Sequence, residues 1–286
     1  MKLRAALLLL FAATPSLVAA ETARLPDLDR AKGQIRVVTY NILGGRNPDK
    51  AHDLKRIAEI VGLLNPDLVA LQEVDVKTKR FRGRDLPKEL GELTGMKALF
   101  GAAMPFEGGE YGVGVLSRLP VESHQGHLLP AQPKGEPRAA LEVICRLGES
   151  GDAPKLRFIA THLDASSKED ERIAQTAKLL ELFPSPAEKP VSVLAGDFNA
   201  ELSSASLTSL LSKWTVSWPE GKAAKTFPAI KPRVSIDHVF TGKGAPWKIL
   251  RMVAGTEIFP GDASWKERLE KASDHAPVLV ELELGK

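Results

Sequence analysis

Short apolar runs rich in β-forming residues alternate with amphipathic stretches over most of the chain, and this alternation limits the possible folds more than any other feature. The sequence predicts eight strands, at residues 35–43, 67–74, 111–117, 138–147, 156–163, 190–198, 234–240 and 277–284. Several of these runs are continuously apolar, which is typical of sheets that are covered on both faces. We therefore expect a layered α/β fold.

Two amphipathic stretches are predicted to form helices. The first covers residues 51–64 and ends at Asn65-Pro66, and the second covers residues 169–183 and ends at Pro184. The predicted buried face of the first helix consists of Leu54, Ile57, Ala58, Val61 and Leu64. The predicted buried face of the second consists of Ile173, Ala177, Leu180 and Phe183.

The N-terminus has the three parts of a secretory signal. Lys2 and Arg4 precede an apolar stretch at 5–13, and the small residues of a cleavage site follow at 18–20. The predicted organisation is a signal peptide at 1–20, a polar lead-in at 21–34 and a single catalytic domain at 35–286. We expect a secreted or periplasmic protein without a transmembrane segment, a retained N-terminal anchor being the alternative.

The cysteine content restricts the covalent chemistry of the chain. The single cysteine, Cys145, lies in the apolar run ALEVICRL, where a buried thiol is expected rather than a reactive one. One cysteine cannot form an internal disulfide, so the fold depends on its hydrophobic core, for which the chain is long enough. We expect a monomer.

Polar residues end several of the predicted strands. Four runs, VVTYN, LVALQE, FIATH and VLAGD, end in Asn41, Glu73, His162 and Asp197. Two later segments, SIDHV and SDHAP, contain Asp237-His238 and Asp274-His275. Each residue alone has an ordinary explanation as a turn residue, a helix cap or a core histidine. Because buried polar groups cost free energy unless they are partnered, the joint occurrence predicts one converging site at the strand ends.

The segment LAGDFNAE has its own alternation. In an extended chain Asp197 and Asn199 project from one face and Phe198 from the other. We expect the acid and the amide to face the site while Phe198 anchors the strand in the core.

The residue types at these positions favour a particular kind of cation. Carboxylates, amides and histidines, without a cluster of thiolates or a His-Glu-x-x-His helix, suit Mg²⁺ or Mn²⁺, with Ca²⁺ as a further candidate, rather than structural zinc. The sequence contains no nucleophile elbow, P-loop or dinucleotide-binding glycine motif. Serine hydrolases, P-loop NTPases and dehydrogenases are therefore disfavoured.

The ordered motifs of the chain resemble those of the endonuclease/exonuclease/phosphatase superfamily, the DNase I-like metal-dependent phosphoesterases. The matching stretches span residues 35–284 and are TYNIL, LQEVD, YGVGVLSR, EPRAAL, THLD, GDFNAE, SIDHVF and SDHAPV. The resemblance implies an α/β (α+β) four-layer sandwich, in which two packed, mostly antiparallel mixed β-sheets are flanked by helices. It also implies metal-assisted attack of water on a phosphate ester.

The resemblance assigns the metal ligands. It implies that Glu73 is the principal ligand of the cation and that Asn41 and Asp274 lie close to the ion, either directly or through water.

The resemblance also assigns the catalytic residues. It implies that Asp197 orients or deprotonates the attacking water and that Asn199 contacts the water and the phosphate. His275 is similar to the catalytic histidine, and Asp237 to the carboxylate that fixes its tautomer and raises its pKa. His162 is similar to a second histidine that contacts the phosphate or the leaving oxygen.

The residue that would hydrogen-bond to and orient the second histidine, His162, departs from the family pattern. A glutamate near the YGVGVLSR strand fills this role in DNase-type members, whereas Glu110 is one residue out of register and Asp164 is the substitute candidate. Arg138 and Arg118 are candidates for phosphate binding, with structural ion pairs as the alternative. The segment at 76–84 has five basic residues that could hold further phosphates, or could form a solvated loop.

The substrate class stays open at this point. The Trp-x-Asp-Arg signature of inositol polyphosphate 5-phosphatases is missing from the segment VSIDHVF. Export disfavours a DNA-repair enzyme. We expect a phosphodiesterase that acts on nucleic acid or a lipid head group. The alternatives are a phosphomonoesterase and a non-catalytic binding protein on the same scaffold.

Overall fold

The computed structural model describes residues 24–46, 52–219 and 223–285, which form two stacked six-stranded sheets flanked by helices. The predicted four-layer α/β sandwich is confirmed. The predicted signal peptide lies outside the described residues.

The first sheet has six strands and contains one pair of parallel neighbours. Its strands, in spatial order, are β11 (Trp247–Ala254), β12 (Val278–Leu284), β1 (Gln34–Asn41), β2 (Leu68–Val76), β4 (Gly109–Ser117) and β3 (Lys97–Phe106). β1 and β2 are parallel, and the other pairs are antiparallel. The carboxyl ends of β1 and β2 therefore lie side by side.

The second sheet also has six strands with one pair of parallel neighbours. Its strands, in spatial order, are β5 (Val121–Leu129), β6 (Arg138–Arg146), β7 (Lys155–His162), β8 (Val191–Asp197), β10 (Asp237–Gly242) and β9 (Trp214–Val216). β7 and β8 are parallel, and the other pairs are antiparallel. His162 pairs directly with Asp197 at the end of this parallel pair.

Neighbouring apolar residues of one strand pack on opposite faces of the sheet and so belong to different parts of the core. Val37 and Val193 lie in the cluster between the two sheets, whereas Val38 lies under the helices of the first sheet and Leu194 under those of the second. Strands that are apolar on both faces are required by this four-layer arrangement.

Within the described residues, five α-helices cover the outer faces of the sheets. The helices are α1 (Leu54–Leu64), α2 (Leu86–Thr94), α3 (Asp170–Leu182), α4 (Ala205–Leu210) and α5 (Ala263–Ala272). The clusters under the first sheet contain residues of α1, α2 and α5, and those under the second contain residues of α3 and α4. None of the helices in the described ranges combines the length and apolar character that crossing a bilayer requires.

α1 confirms the predicted face, and α3 does not. Asn65 ends α1 in a left-handed conformation, and the predicted apolar residues pack onto the first sheet. In α3, however, Ile173 is 41% exposed while Arg172 and Gln175 are buried. Arg172 donates to the carbonyl of Asp164 at 3.0 Å, and Gln175 donates to the carbonyl of Pro130 at 3.0 Å. The buried face of α3 is partly polar because it binds loop backbone.

Cys145 is fully buried on β6, as predicted. Burial raises the pKa of its thiol to about 12.

Candidate active site

The four polar strand ends meet at one edge of the sandwich, where an amide connects the two sheets. Asn41 Nδ2 donates to Glu73 Oε1 at 3.2 Å and to Asp197 Oδ2 at 3.1 Å. Asn41 and Glu73 belong to the first sheet, and Asp197 ends a strand of the second. The two parallel pairs therefore bring their polar ends to a common site.

Glu73 reaches this site through an irregularity in β2. The register between β2 and β4 shifts between Leu71 and Val74, and Glu73 has a φ of 56°. A non-glycine residue in this region costs of order 1–3 kcal/mol, and such strain concentrates at functional positions. The extra residue of a bulge re-aims the side chain that it carries, here the Glu73 carboxylate in the cavity wall.

Asn199 also faces the cavity through a turn and not through strand alternation. β8 ends at Asp197, and Asn199 has a φ of 48°. The Asp197 carboxylate accepts a hydrogen bond from the Asn199 backbone amide at 2.9 Å, which closes the turn. Phe198 is fully buried and contacts Phe240 at 5.0 Å between ring centroids, so it anchors this segment as predicted.

His275 and Asp237 form a buried pair. His275 Nδ1 lies 3.0 Å from Asp237 Oδ2, and the Ser273 hydroxyl, which accepts from the His275 amide, donates to the Asn41 carbonyl at 2.7 Å. Burial of the ring favours the neutral form, but the Asp237 carboxylate outweighs it and the pKa of His275 rises to about 10. The imidazole is therefore protonated and positively charged near neutral pH.

His162 has the opposite electrostatic environment. Its Nδ1 lies 3.2 Å from Arg138 Nη1, and its Nε2 lies 3.1 Å from Asn199 Nδ2 and 3.5 Å from Asp197 Oδ2. The Arg138 guanidinium donates toward Nδ1, so a proton on this nitrogen would place one N–H against another. Burial, followed by the Arg138 charge, holds the pKa of His162 well below its usual value. His162 is therefore neutral.

Neither acid considered as the support of His162 fills that role. Glu110 is exposed on β4, and the Asp164 carboxylate accepts from the Ser166 backbone amide at 2.9 Å. Arg138, 4% exposed and paired with Glu136 at 2.8 Å, lies against the ring instead. On its Nδ1 side the histidine thus faces a cation rather than a supporting carboxylate.

Arg118 lies at the wrong end of the sheet for phosphate binding. Its guanidinium donates to the Asn65 side chain, and its backbone amide donates to the Asp67 carbonyl at 2.9 Å. Asp67 precedes β2, whereas Glu73 lies near the other end of this strand, about 20 Å away. The structure therefore does not bring Arg118 to the cavity, because β4 runs antiparallel to β2 and places this residue at the opposite end of the sheet.

Negative charge accumulates in the site. Burial, followed by repulsion from Asp237, raises the pKa of Asp197 to about 7. Burial also raises the pKa of Glu73, and the nearby Asp274 carboxylate adds to this rise. Four carboxylates, those of Glu73, Asp197, Asp237 and Asp274, thus surround one cationic histidine.

This donor set fits a hard divalent cation. Asp237 Oδ1 is buried without a hydrogen-bond partner in the described residues and lies in a cluster with Asp197, whereas the protonated His275 of the same cluster has no lone pair to offer a cation. Glu73 and Asp274 line the same cavity. Oxygen ligands with excess negative charge are the environment that Mg²⁺, Mn²⁺ and Ca²⁺ prefer. The side-chain oxygen of Asn41 accepts from the Leu43 backbone amide at 3.1 Å. The side-chain nitrogen of Asn41 bridges the carboxylates of Glu73 and Asp197.

The site lies in a cavity of about 340 Å³. Its wall also contains side chains that were not predicted as site residues from the sequence, namely Arg80, Met104, Phe106, Tyr111, Glu136 and Phe227. Phe227 packs on His275 with ring centroids 4.7 Å apart. The basic segment 76–84 pointed to this region, but Arg80 alone of its five basic residues lines the cavity.

Comparisons with known proteins agree with this fold. The model of the Endonuclease/Exonuclease/phosphatase family matches residues 38–275. A solved endonuclease/exonuclease/phosphatase from Beutenbergia cavernae is 22% identical with a TM-score of 0.65, and the match covers 88% of this chain and 72% of that one. No curated protein gives a significant match.

Two further solved structures share the fold. A mannosyl-6-phosphatase from Bacteroides thetaiotaomicron is 18% identical with a TM-score of 0.67, and the match covers 87% of this chain and 99% of that one. The human Nocturnin catalytic domain, solved with a bound sulfate anion, is 18% identical with a TM-score of 0.64, and the match covers 91% of this chain and 97% of that one.

Proposed function

The chain belongs to the endonuclease/exonuclease/phosphatase family, and we propose that it is a divalent-metal-dependent hydrolase of phosphate esters, with phosphodiesters as the favoured substrates. On the sequence of residues 1–20 we further propose that it acts after export.

One observation carries the proposed reaction. The charged pair of His275 and Asp237, the carboxylate of Asp197 and the neutral His162 lie around one cavity, beside Glu73 and Asp274. These groups come from both sheets and from loops that are distant in sequence. A purely structural role does not require buried charges of this kind at one surface opening, because each costs free energy of desolvation.

Glu73 and Asp274 would hold the cation, with Asn41 orienting the Glu73 carboxylate through its hydrogen bond. When bound, a divalent cation in such a site polarises a phosphoryl oxygen and offsets the charge that develops on it.

The protein groups divide the remaining tasks. Asp197 accepts a proton from the attacking water, for which a pKa near neutrality is suitable. The charged His275 stabilises negative charge on the phosphoryl group, and Asp237 keeps it protonated. His162 and Asn199 contribute hydrogen bonds to the phosphate rather than charge, since His162 is held neutral.

The test is hydrolysis of bis(p-nitrophenyl) phosphate by the purified protein with Mg²⁺ or Mn²⁺, with and without a chelator. We expect turnover that the chelator abolishes and that added metal restores. A panel of plasmid DNA, RNA, sphingomyelin, phosphatidylinositol and phosphomonoesters then identifies the ester. Absence of turnover over the whole panel would favour a binding protein, and turnover that resists the chelator would contradict the metal dependence.

A further inference from the structure

We infer that the substrate carries a second anionic group beside the scissile phosphate and that Arg80 binds it. This inference rests on the proposed function, because it concerns the same cavity. It narrows the substrate class to esters with at least two negatively charged groups and disfavours head groups with a quaternary ammonium.

Arg80 is held in one orientation by a buried acid. Its Nε donates to Asp75 Oδ2 at 2.7 Å, and its Nη2 donates to Asp75 Oδ1 at 3.1 Å. Asp75 is fully buried, whereas the Arg80 side chain is 23% exposed. A two-point contact of this kind fixes the plane of the guanidinium before any ligand arrives.

The surrounding chain packs closely against this pair. The guanidinium carbon lies 4.6 Å from the Phe106 ring centroid and 5.4 Å from that of Tyr111. On another side lies Gly44, at a φ of 62°, where an added Cβ would be 3.2 Å from Asp75 Oδ2 and 3.4 Å from Arg80 Nη2. The Arg80 backbone amide donates to the Glu107 carboxylate at 2.8 Å, which connects the segment to the hairpin between β3 and β4.

One edge of the guanidinium is available for a ligand. Asp75 accepts from Nε and Nη2, and no acceptor for Nη1 is found among the described residues. Arg80 lines the cavity together with Glu73 and His275 but makes no hydrogen bond to the catalytic residues within the described ranges. Arg80 therefore presents a free guanidinium edge at the wall of the cavity that holds the catalytic residues, where an anionic group of the substrate other than the reacting phosphate can bind.

The adjoining segment adds further positive charge around Arg80, and the Glu107 carboxylate lies against the Arg80 backbone amide. Lys77, Lys79 and Arg82 are exposed, and none has a carboxylate within 4.0 Å in the described part of the chain. Arg80 is thus the buried end of a positively charged rim. Such a surface attracts a polyanionic substrate and repels a cationic head group.

The experiment compares ligands that differ in one anionic group and cannot be hydrolysed. Alkyl phosphonates and alkane bisphosphonates, with spacers of increasing length, are titrated by calorimetry into the Mg²⁺-loaded wild-type protein. We expect the best bisphosphonate to bind at least about tenfold more tightly than its monophosphonate, as one charged hydrogen bond allows. In Arg80→Gln this ratio should fall close to one.

Arg84→Gln is the matched control. Arg84 belongs to the same segment, pairs with Glu89 and lies 4.9 Å from the Phe81 ring centroid, yet it does not line the cavity. Its variant should keep the wild-type ratio. Because Arg80→Gln leaves Asp75 buried and unpaired, the double variant Asp75→Asn/Arg80→Gln is measured as well, and it should also lose the preference.

Three results would overturn the inference: a wild-type ratio near one, a ratio that survives in both Arg80 variants, or an equal loss in Arg84→Gln. Because the readout is binding, it is independent of turnover, so a protein that hydrolyses no ester but prefers bisphosphonates would refute the proposed function alone. Hydrolysis of oligonucleotides and of phosphorylated glycerophosphoinositols then distinguishes nucleic-acid from lipid-derived sources of the second anion.

Discussion

His275 Nδ1 lies 3.0 Å from Asp237 Oδ2, while Nε2 of the same ring lies 3.7 Å from Asp197 Oδ2. The imidazole is thus held between two buried carboxylates, and its charge depends on both. The pKa of His275 is raised to about 10, above the ordinary value of 6.5. The pair therefore stabilises the fold fully below pH 6.5, and this stabilisation is lost as the pH rises through 10.

Asp237→Asn should move the alkaline limb of the pH–rate profile to lower pH. The variant removes the charge that keeps His275 protonated, so the active form should disappear near neutral pH instead of near pH 10. The measurement is kcat against pH for both proteins at saturating metal. A variant whose activity falls equally at every pH would refute the coupling between Asp237 and His275.

Asp197→Asn should abolish most activity while stabilising the metal-free fold at alkaline pH. Loss of a general base lowers turnover by about 10²–10⁴-fold. The pKa of Asp197 is raised from 3.8 to about 7, so the folded state binds more protons than the unfolded state over that range and stability falls as pH rises. The amide removes this penalty.

The check for Asp197→Asn is thermal unfolding in chelator from pH 4 to pH 8. The variant should unfold at a higher temperature than wild type at pH 8, with the difference shrinking toward pH 4. A lower midpoint at pH 8 together with near-normal activity would contradict both assigned properties.

Glu73→Gln should weaken stabilisation by metal. A cation that binds only the folded state adds about 2.7 kcal/mol at one hundred times its dissociation constant, so wild-type protein should show a rise in Tm with MnCl₂ that chelator reverses. The variant should need far more metal for the same rise. Glu92→Gln, on the surface of α2, is the control and should respond like wild type. Equal responses in all three proteins would exclude Glu73 as a ligand.

Cys145 should be inert toward thiol reagents in the native protein. Its side chain is fully buried, and burial raises the pKa of the thiol to about 12, so little thiolate forms at neutral pH. Titration with Ellman's reagent should give no reaction in buffer and one thiol per chain in guanidinium chloride. Rapid reaction of the native protein would show that β6 opens readily.

Whether a strand could be predicted from the sequence depended on its position in the sheet. The eight predicted strands are the inner ones, which are apolar because neighbours and outer layers cover them. The four strands that were not predicted, β3, β5, β9 and β11, are the edges of the two sheets. β5 shows the reason, since five consecutive residues at 122–126 are exposed and no apolar run marks it.

The side chains at the site were predictable where they end inner strands, as for Asn41, His162 and Asp197. The conformations that aim Glu73 and Asn199 were not, because a bulge and a left-handed turn depend on pairing with other strands. Arg80 could not be distinguished from its basic neighbours, since only tertiary contacts place Asp75 and Phe106 beside it.

The most direct test of the central claim is the anomalous diffraction of a crystal soaked with Mn²⁺ and inorganic phosphate. We predict one manganese peak in contact with the carboxylates of Glu73 and Asp274, and a phosphate between it and the side chains of His162 and His275. A manganese site elsewhere on the protein, with this cavity free of metal, would contradict the account.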